Sequence, residues 1–410
     1  MTETFVRRLR RLQRLLRPAD SVGAEHYVEG HPARHAQRQF QHSWLRHPRG
    51  AARALGAVVP PPEGQKGSAV RNGATKALGG VICGGLLATL GAHAAESVTP
   101  SEVINSFEET FNVHPEQGTS HATSICARGE FLGTAAASAL SRSSLFAPRP
   151  VPVIAKYSVT GTDQGSRTAR EMALEFHLPD GSVQDMVMLD TPKIGAADPI
   201  AFREMIAAAK PDATTGRPDP GRLLHLVAAR PDAFAPSNFQ TASDPPYSYA
   251  NSAYYSIHTF RFINAQDRIH FVRWRFIPRD GEKRVRPAEV AGVATDLLDE
   301  RFRARLASGP VQWDMTVYLG EAGDATDNAS IAWPEGRRHL KAGTLTISQV
   351  LSESAAECRK LNVNPLLVTD GIAPTDDPVL LFRSPTYAIG FVQQLSQALG
   401  AMQDPSGVAR

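Results

Sequence analysis

Apolar runs of strand length, separated by turn residues, are the feature that most constrains the fold of this chain. Five such runs lie in the middle of the sequence, at Val151–Val159, Glu171–Leu178, Ser256–Ile263, Ile269–Ile277 and Gln312–Leu319. Turn sequences stand between several of them, as at Pro179-Asp180-Gly181 and Asp280-Gly281. Helical spacing occurs at the two flanks, Ser101–Phe111 and Arg383–Leu399. Strands in the middle and helices at the ends predict an α+β fold rather than repeating βαβ units.

Charge divides the chain into regions. Residues 1–69 carry 12 basic and 5 acidic side chains, whereas the whole chain has a formal net charge of only +3. The remainder is therefore mildly acidic and has no basic footprint for DNA or RNA. We predict a basic, disordered extension at 1–69, with a membrane-surface or nucleic-acid-binding amphipathic stretch at Val6–Arg17 as the alternative. Residues 95–410 are predicted to form a single folded domain, which leaves a separate segment at 70–94.

Residues 70–94 have the three parts of a secretory signal peptide. An uncharged run, Ala77–Ala92, follows the cations Arg71 and Lys76 and is closed by Ala92-His93-Ala94. The run is shorter than the ~20 residues of a typical membrane-spanning helix. We therefore expect a periplasmic or exported protein.

A signal peptide belongs at an N-terminus, so we expect translation to begin near Val70, which makes residues 1–69 an artefact of gene calling. The first alternative is a tether in the inner membrane through residues 77–92, with the folded domain outside and a basic tail inside. The second alternative is a buried, Gly-rich core helix.

The three cysteines, Cys83, Cys126 and Cys358, form neither a CxxC pair nor a His/Cys cluster with zinc spacing. We expect Cys126 and Cys358 to be buried free thiols. A disulfide between them, formed in an oxidising compartment, is the alternative.

Arg383 and Tyr387 are four residues apart on a predicted helix, so their side chains share one face. A tyrosine with the ordinary pKa near ~10 is neutral at pH 7. A guanidinium one turn away favours the phenolate by opposite charge. Phenolate is a hard anionic ligand of Fe(III), and tyrosine is an axial ligand in some haem proteins, so the pair has a chemical use at a haem. By itself the spacing is common and favours a surface cation–π contact.

Six segments in the order of the haem catalase family lie between about Pro100 and Gln397, and the chain resembles that family. They are His121-Ala to Gly129-Glu-Phe131, Lys156-Tyr-Ser158-Val, Tyr255-Ser-Ile-His258-Thr-Phe260, Trp333-Pro334, Gly343-Thr-Leu-Thr-Ile347 and Arg383-Ser-Pro-Thr-Tyr387. The short length, without a long threading arm or extra C-terminal helices, is similar to the small catalase-related peroxidases. The resemblance implies an eight-stranded antiparallel β-barrel with flanking helices, and haem b in a pocket between barrel and helix.

The resemblance assigns the distal, peroxide-binding side to three residues. His121 would move a proton between the two oxygens of a peroxide, which is general acid–base catalysis. Ser158 would hydrogen-bond the other imidazole nitrogen and fix the tautomer. Asp190, before Thr191-Pro192, stands where the family has an asparagine, and a carboxylate there would change peroxide handling and its pH dependence.

On the proximal side, the resemblance makes Tyr387 the iron ligand. Arg383 would keep Tyr387 ionised, and His258 and Asp377 would orient Arg383. The alternatives are a satisfied core histidine at His258 and a solvated loop residue at Asp377.

The residues that would bind the haem propionates depart from the family pattern. Gly118 and Gln394 occupy two positions where the family commonly has arginine, and Lys156 keeps only a point charge at the third. Two lost charge-assisted contacts, very roughly 1.5–3 kcal/mol each, would loosen haem binding without abolishing it. Lys193 is a candidate to compensate.

These features predict a haem peroxidase that reduces hydrogen peroxide or organic hydroperoxides, with an unidentified electron donor and with weak or no catalase activity. A haem-binding protein with little turnover, used in storage or sensing, is one alternative. A catalase-fold enzyme that rearranges lipid hydroperoxides is another. The oligomeric state stays open.

Overall fold

The computed structural model describes residues 97–111, 124–159, 168–212, 214–215, 218–231, 244–286, 296–352 and 355–389. The predicted extension at 1–69, the segment at 70–94 and His121 lie outside these ranges. Within them, no helix combines the length and apolarity that a membrane crossing needs.

The described residues contain ten strands, joined in one antiparallel sheet. The strands are β1 (Ser124–Gly133), β2 (Pro150–Val159), β3 (Arg170–His177), β4 (Val183–Leu189), β5 (Tyr254–Tyr255), β6 (Phe260–Ile263), β7 (Ile269–Pro278), β8 (Val311–Leu319), β9 (His339–Val350) and β10 (Ile372–Pro374). Four of the five predicted strands are confirmed to within one residue at each end.

The sheet closes on itself. Its order is β10-β6-β7-β5-β4-β3-β2-β1-β9-β8, and β7 also pairs with β8. The closed ring from β7 through β5, β4, β3, β2, β1 and β9 to β8 therefore contains eight strands, with β6 and β10 attached at its edge. Closure removes the exposed edge strands that an open sheet would present. The predicted eight-stranded antiparallel barrel is confirmed.

Helices flank the barrel. They are α1 (Pro100–Phe111), α2 (Ala135–Leu140), α3 (Pro199–Ala208), α4 (Pro220–Ala229), α5 (Leu297–Ala307), α6 (Ala356–Lys360) and α7 (residues 378–389). The N-terminal helix was predicted one residue shorter. The predicted helix Arg383–Leu399 begins earlier, at residue 378, and its last ten residues lie outside the described part of the chain.

Side-chain alternation explains how the strands build the barrel. Val151, Val153, Ala155 and Tyr157 on β2 are fully buried, since each points into the barrel interior, while the residues between them point outward. Inside, the Phe131 ring contacts three other phenylalanine rings at centroid distances of 5.6–6.5 Å, those of Phe146, Phe176 and Phe276. Burial of each such ring stabilises the fold by roughly 1.5–3 kcal/mol.

The predicted strand Ser256–Ile263 is wrong as a continuous strand. Ile257 has a φ of 51°, a left-handed value that β-branched residues rarely adopt. Only the end of the run, Phe260–Ile263, forms a strand, β6, and β5 ends before the run begins. Between them the amide of His258 hydrogen-bonds the Ser256 carbonyl instead of a neighbouring strand. Because its backbone leaves the ladder, His258 is available to a partner outside the sheet.

Cys126 and Cys358 form a disulfide, so the expectation of free thiols is wrong. The bridge joins β1 to the segment that carries α6, across 232 residues of sequence. The packing of α6 beside β1 brings the two cysteines together, and spacing in the sequence cannot show such a contact between distant parts of the chain.

We predict that replacing Cys126 and Cys358 by alanine lowers the free energy of unfolding by about 2–4 kcal/mol, because the unfolded chain loses a covalent constraint. Chemical denaturation of the full chain with and without reductant measures this. Cys83→Ser is the control, and its stability should match that of the unaltered protein. If reductant lowered the free energy of unfolding of the double variant as much as that of the unaltered protein, the disulfide assignment would be contradicted.

Candidate active site

The outer face of the barrel carries a row of residues from three neighbouring strands. Ser158 on β2 is the cross-strand partner of Glu171 on β3, and Glu171 is the partner of Leu189 on β4. Cross-strand partners point to the same face of a sheet. Lys156, two residues before Ser158, lies on this face as well. Ser158 and Glu171 are both buried, so another part of the protein covers the row.

Asp377 joins helix α7 to the barrel. Its Oδ1 accepts hydrogen bonds from the amides of Val379 and Leu380, in the manner of a helix N-cap. Its Oδ2 lies 2.8 Å from His258 Nδ1. Although burial favours the neutral acid, the bonds from His258, Leu380 and Val379 hold the pKa of Asp377 below its usual range. An anionic Asp377 fixes both the start of the helix and one ring nitrogen of His258.

The contacts continue from His258 to Tyr387. Nε2 of His258 lies 3.2 Å from Nη1 of Arg383, and Nη2 of Arg383 donates to the Tyr387 hydroxyl at 2.8 Å. Since a guanidinium only donates, His258 Nε2 accepts and Nδ1 carries the proton that bonds Asp377. Burial lowers the pKa of His258, in agreement with this neutral tautomer. The structure thus brings together four of the predicted residues, Asp377, His258, Arg383 and Tyr387, which we call the proximal relay.

Arg383 lowers the pKa of Tyr387, in the direction that its predicted role requires, while burial acts in the opposite direction. Burial raises the pKa of Tyr387 to about 12, outweighing the effect of Arg383 in the opposite direction, and the nearby Glu171 raises it further. The phenol remains protonated and donates to Glu171 Oε2 at 3.2 Å. A metal ion on the phenol oxygen is needed to ionise Tyr387 at neutral pH.

Glu171 is a site residue that the sequence analysis did not single out. Its Oε2 lies 3.2 Å from the Tyr387 hydroxyl oxygen and 3.8 Å from Arg383 Nη2. The available signal was a charged residue inside the strand, at a position where the outward face of the barrel is covered. Its significance depends on the β2–β3 register, which pairs Glu171 with Ser158.

Asp190 is not brought to the proximal relay, and its predicted place in the distal site stays a prediction, because His121 lies outside the described residues. Its Oδ1 accepts the Arg170 amide at 2.9 Å, and its Oδ2 lies 3.9 Å from Arg284 Nη1. Burial raises the pKa of Asp190, with Arg170 acting in the opposite direction. The residue in the row with Ser158 and Glu171 is instead the preceding one, the apolar Leu189. A shift of one residue along a strand reverses the face that a side chain occupies.

The structure gives fewer contacts for the other predicted site residues, Ser158, Lys156 and His121. Ser158 is fully buried, and its Oγ has no hydrogen-bond partner among the described residues. Lys156 lies beside Cys126 on the neighbouring strand, away from the relay. His121, which would face Ser158, lies in the part of the chain that the structure does not describe.

The segment 361–369 fastens α7 to the barrel. The amide of Asn364 donates to Asp185 Oδ2 at 2.7 Å, and Asn364 Nδ2 donates to Ser384 on α7 at 2.9 Å. Leu361 and Val363 pack against Ala173 and Val187 on the outer barrel face. These contacts hold the helix against the strand row, so Tyr387 is positioned over Glu171.

The residues of this site fit a ferric haem. A partly buried phenol oxygen that receives a guanidinium hydrogen bond is suited to become an anionic iron ligand, since positive charge stabilises the phenolate. The unpartnered Ser158 Oγ leaves an acceptor and donor for a distal group. The fold and the site define an antiparallel β-barrel protein with a tyrosine and an arginine paired at its outer wall.

The family model for catalases matches residues 94–397, and the chain belongs to the catalase family. Membership of this family implies a haem group. A catalase-related peroxidase of Synechococcus elongatus is 40% identical over 74% of this chain and 91% of its own length. One of Mycolicibacterium paratuberculosis is 30% identical over 75% of this chain and 98% of its own length.

Solved structures show the same fold. A bacterial catalase superimposes with a TM-score of 0.61 at 21% identity, over 75% of this chain and 63% of its own chain. A fungal catalase superimposes with a TM-score of 0.59 at 18% identity, over 67% of this chain and 59% of its own.

We predict that Asp185→Asn makes the free energy of unfolding less dependent on pH between about pH 5 and 8. Burial raises the pKa of Asp185 from 3.8 to about 8. Between these values the unfolded chain has lost the proton that the folded chain keeps. The stability contributed by the neutral acid is therefore present below about pH 4, falls as the pH rises, and is lost above about 8.

Asparagine has no such proton, and its side-chain oxygen can still accept the hydrogen bond from the Asn364 amide. Between pH 5 and 8 the free energy of unfolding should therefore fall less in the variant than in the unaltered protein, by on the order of a few kcal/mol. Denaturant unfolding across this range measures the difference. Asp327→Asn, at an exposed position, is the control. Parallel pH profiles for the unaltered protein and Asp185→Asn would contradict the prediction.

Proposed function

We propose that this chain is a peroxidase that uses haem b to reduce hydrogen peroxide or organic hydroperoxides with electrons from an external donor. The observation that carries the proposal is the buried proximal relay, in which Arg383 donates to the Tyr387 oxygen at 2.8 Å. If the phenol oxygen binds iron, the relay stabilises the phenolate that this requires. The two catalase-related peroxidases that match most of this chain support the same activity.

Tyr387 is the residue that would hold the iron, and Arg383 would stabilise its phenolate. His258 and Asp377 act through Arg383 by fixing its position and supplying charge. When bound, the haem supplies the redox chemistry of peroxide reduction. The chain's own contribution on this side is to keep a charged phenol oxygen in a buried place, which costs less when a guanidinium is already oriented toward it.

His121 would carry the proton transfer on the distal side. An imidazole accepts a proton from one peroxide oxygen and delivers it to the other, which promotes cleavage of the O–O bond. The buried Ser158 Oγ, which has no partner among the described residues, is suited to bond the second imidazole nitrogen. Lys156 is the candidate for binding a propionate at the other end of the row.

Peroxidase activity should exceed catalase activity. Dismutation requires that a second peroxide be oriented as a reductant, which calls for well-placed polar groups. Asp190 would stand where the family has a distal asparagine, and a carboxylate there would change how a second peroxide is oriented. A one-peroxide reaction with a separate electron donor remains feasible.

We predict that His121→Ala lowers the peroxidase kcat by about 10²–10⁴-fold, because the proton shuttle is lost, while the haem absorption spectrum is retained. Tyr387→Phe should instead lose the ferric phenolate spectrum. Steady-state kinetics with hydrogen peroxide and a chromogenic donor, together with absorption spectra, measure both effects. His177→Ala, half exposed on the outer face, is the control. Full activity of His121→Ala would overturn the distal role.

We also propose that the protein works outside the cytoplasm. The Cys126–Cys358 disulfide supports this, since such bridges persist mainly in oxidising compartments. The sequence at 70–94 supplies the export signal.

Export predicts that the mature protein from the native host begins near Ala95. N-terminal sequencing of the periplasmic fraction tests this. A cytoplasmic protein that retains residues 1–69 would contradict it, and a membrane-bound protein that retains 77–92 would favour the tether.

A further inference from the structure

Glu171 occupies a central place in the site that neither the proximal relay nor the distal side uses. It lies in the strand row between Ser158 and Leu189, and its side chain is only 8% exposed. Its carboxylate contacts both ends of the i, i+4 pair on α7, accepting from the Tyr387 hydroxyl and approaching Arg383 Nη2. The buried Glu171 carboxylate is directed at the Tyr387 oxygen, the atom proposed to bind iron, and this contact needs a functional explanation.

The Tyr387 oxygen is fully engaged by these two partners. It accepts one hydrogen bond from Arg383 and donates one to Glu171. A phenol oxygen makes such contacts chiefly in two directions in the plane of its ring. Arg383 cannot leave without losing its orientation by His258, because the guanidinium bridges the two. The direction open to an iron ion is therefore the one that Glu171 takes.

We propose that Glu171 competes with haem iron for the Tyr387 oxygen, an inference that rests on the proposed function. In the haem-free chain its carboxylate closes over the phenol, satisfies the hydroxyl and balances the charge of Arg383. Haem binding breaks the Tyr387–Glu171 hydrogen bond and displaces the side chain. Glu171 is thus a positioning residue that weakens haem binding and stabilises the empty protein, so the chain stays folded until it acquires its cofactor.

The test compares the full-length, haem-free protein with Glu171→Ala and Glu171→Gln. Hemin is titrated and the dissociation constant is read from the absorption spectrum, and the melting temperature of each haem-free protein is measured. Glu175→Ala is the matched control, because Glu175 lies four residues further along β3, on the same face, and contacts His177 rather than Tyr387.

Removal of the competing hydrogen bond should make Glu171→Ala bind hemin about tenfold more tightly. Its haem-free form should melt about 2–4 °C lower. Glu171→Gln keeps an amide oxygen that can accept from Tyr387, so its affinity should stay closer to that of the unaltered protein. Glu175→Ala should leave hemin affinity unchanged.

Weaker or unchanged hemin binding by Glu171→Ala would overturn the inference while leaving the proposed function intact. Equally tight binding by the Gln and Ala variants would also overturn it, since the hydrogen bond would then not be what competes. If the unaltered protein binds no hemin, the proposed function fails and the inference with it.

Discussion

The hydrogen bond from Arg383 to the Tyr387 oxygen is the interaction on which the rest of the site depends. A guanidinium in a buried place is costly unless its donors are matched by acceptors. Asp377, His258, Tyr387 and Glu171 provide this match, directly or through one another. This guanidinium and its acceptors are held in place by the barrel wall, helix α7 and the segment 361–369.

Those supports come from parts of the chain that are far apart in sequence. Asp377 caps the helix that carries Arg383 and Tyr387, and at the same time holds a histidine from the break between β5 and β6. Segment 361–369 ties the same helix to β4 through Asp185. Each tie uses a buried polar group, so loss of one leaves its partner unsatisfied as well. This coupling makes the relay rigid, which a metal ligand requires.

The phenol itself illustrates how competing effects set the state of a site. Burial favours the neutral hydroxyl, Arg383 favours the phenolate, and Glu171 favours the hydroxyl again. Burial wins in the chain alone. Iron binding to the same oxygen would reverse this outcome, since a directly bound cation is a stronger charge than a guanidinium one hydrogen bond away. The relay lowers the cost of ionisation but does not complete it.

The sequence by itself determined the strand-rich middle, the barrel class and the helical pairing of Arg383 with Tyr387. The strands and the helical pair follow from local periodicity, and the barrel class follows from short motifs that resemble those of the family. The sequence missed Glu171 and favoured free thiols at Cys126 and Cys358. Both outcomes depend on strand register or on contacts across more than a hundred residues, and a shift of one residue in register reverses which side chain faces the site. Only the tertiary structure decided them, because local propensity carries no information about which distant strand becomes the neighbour.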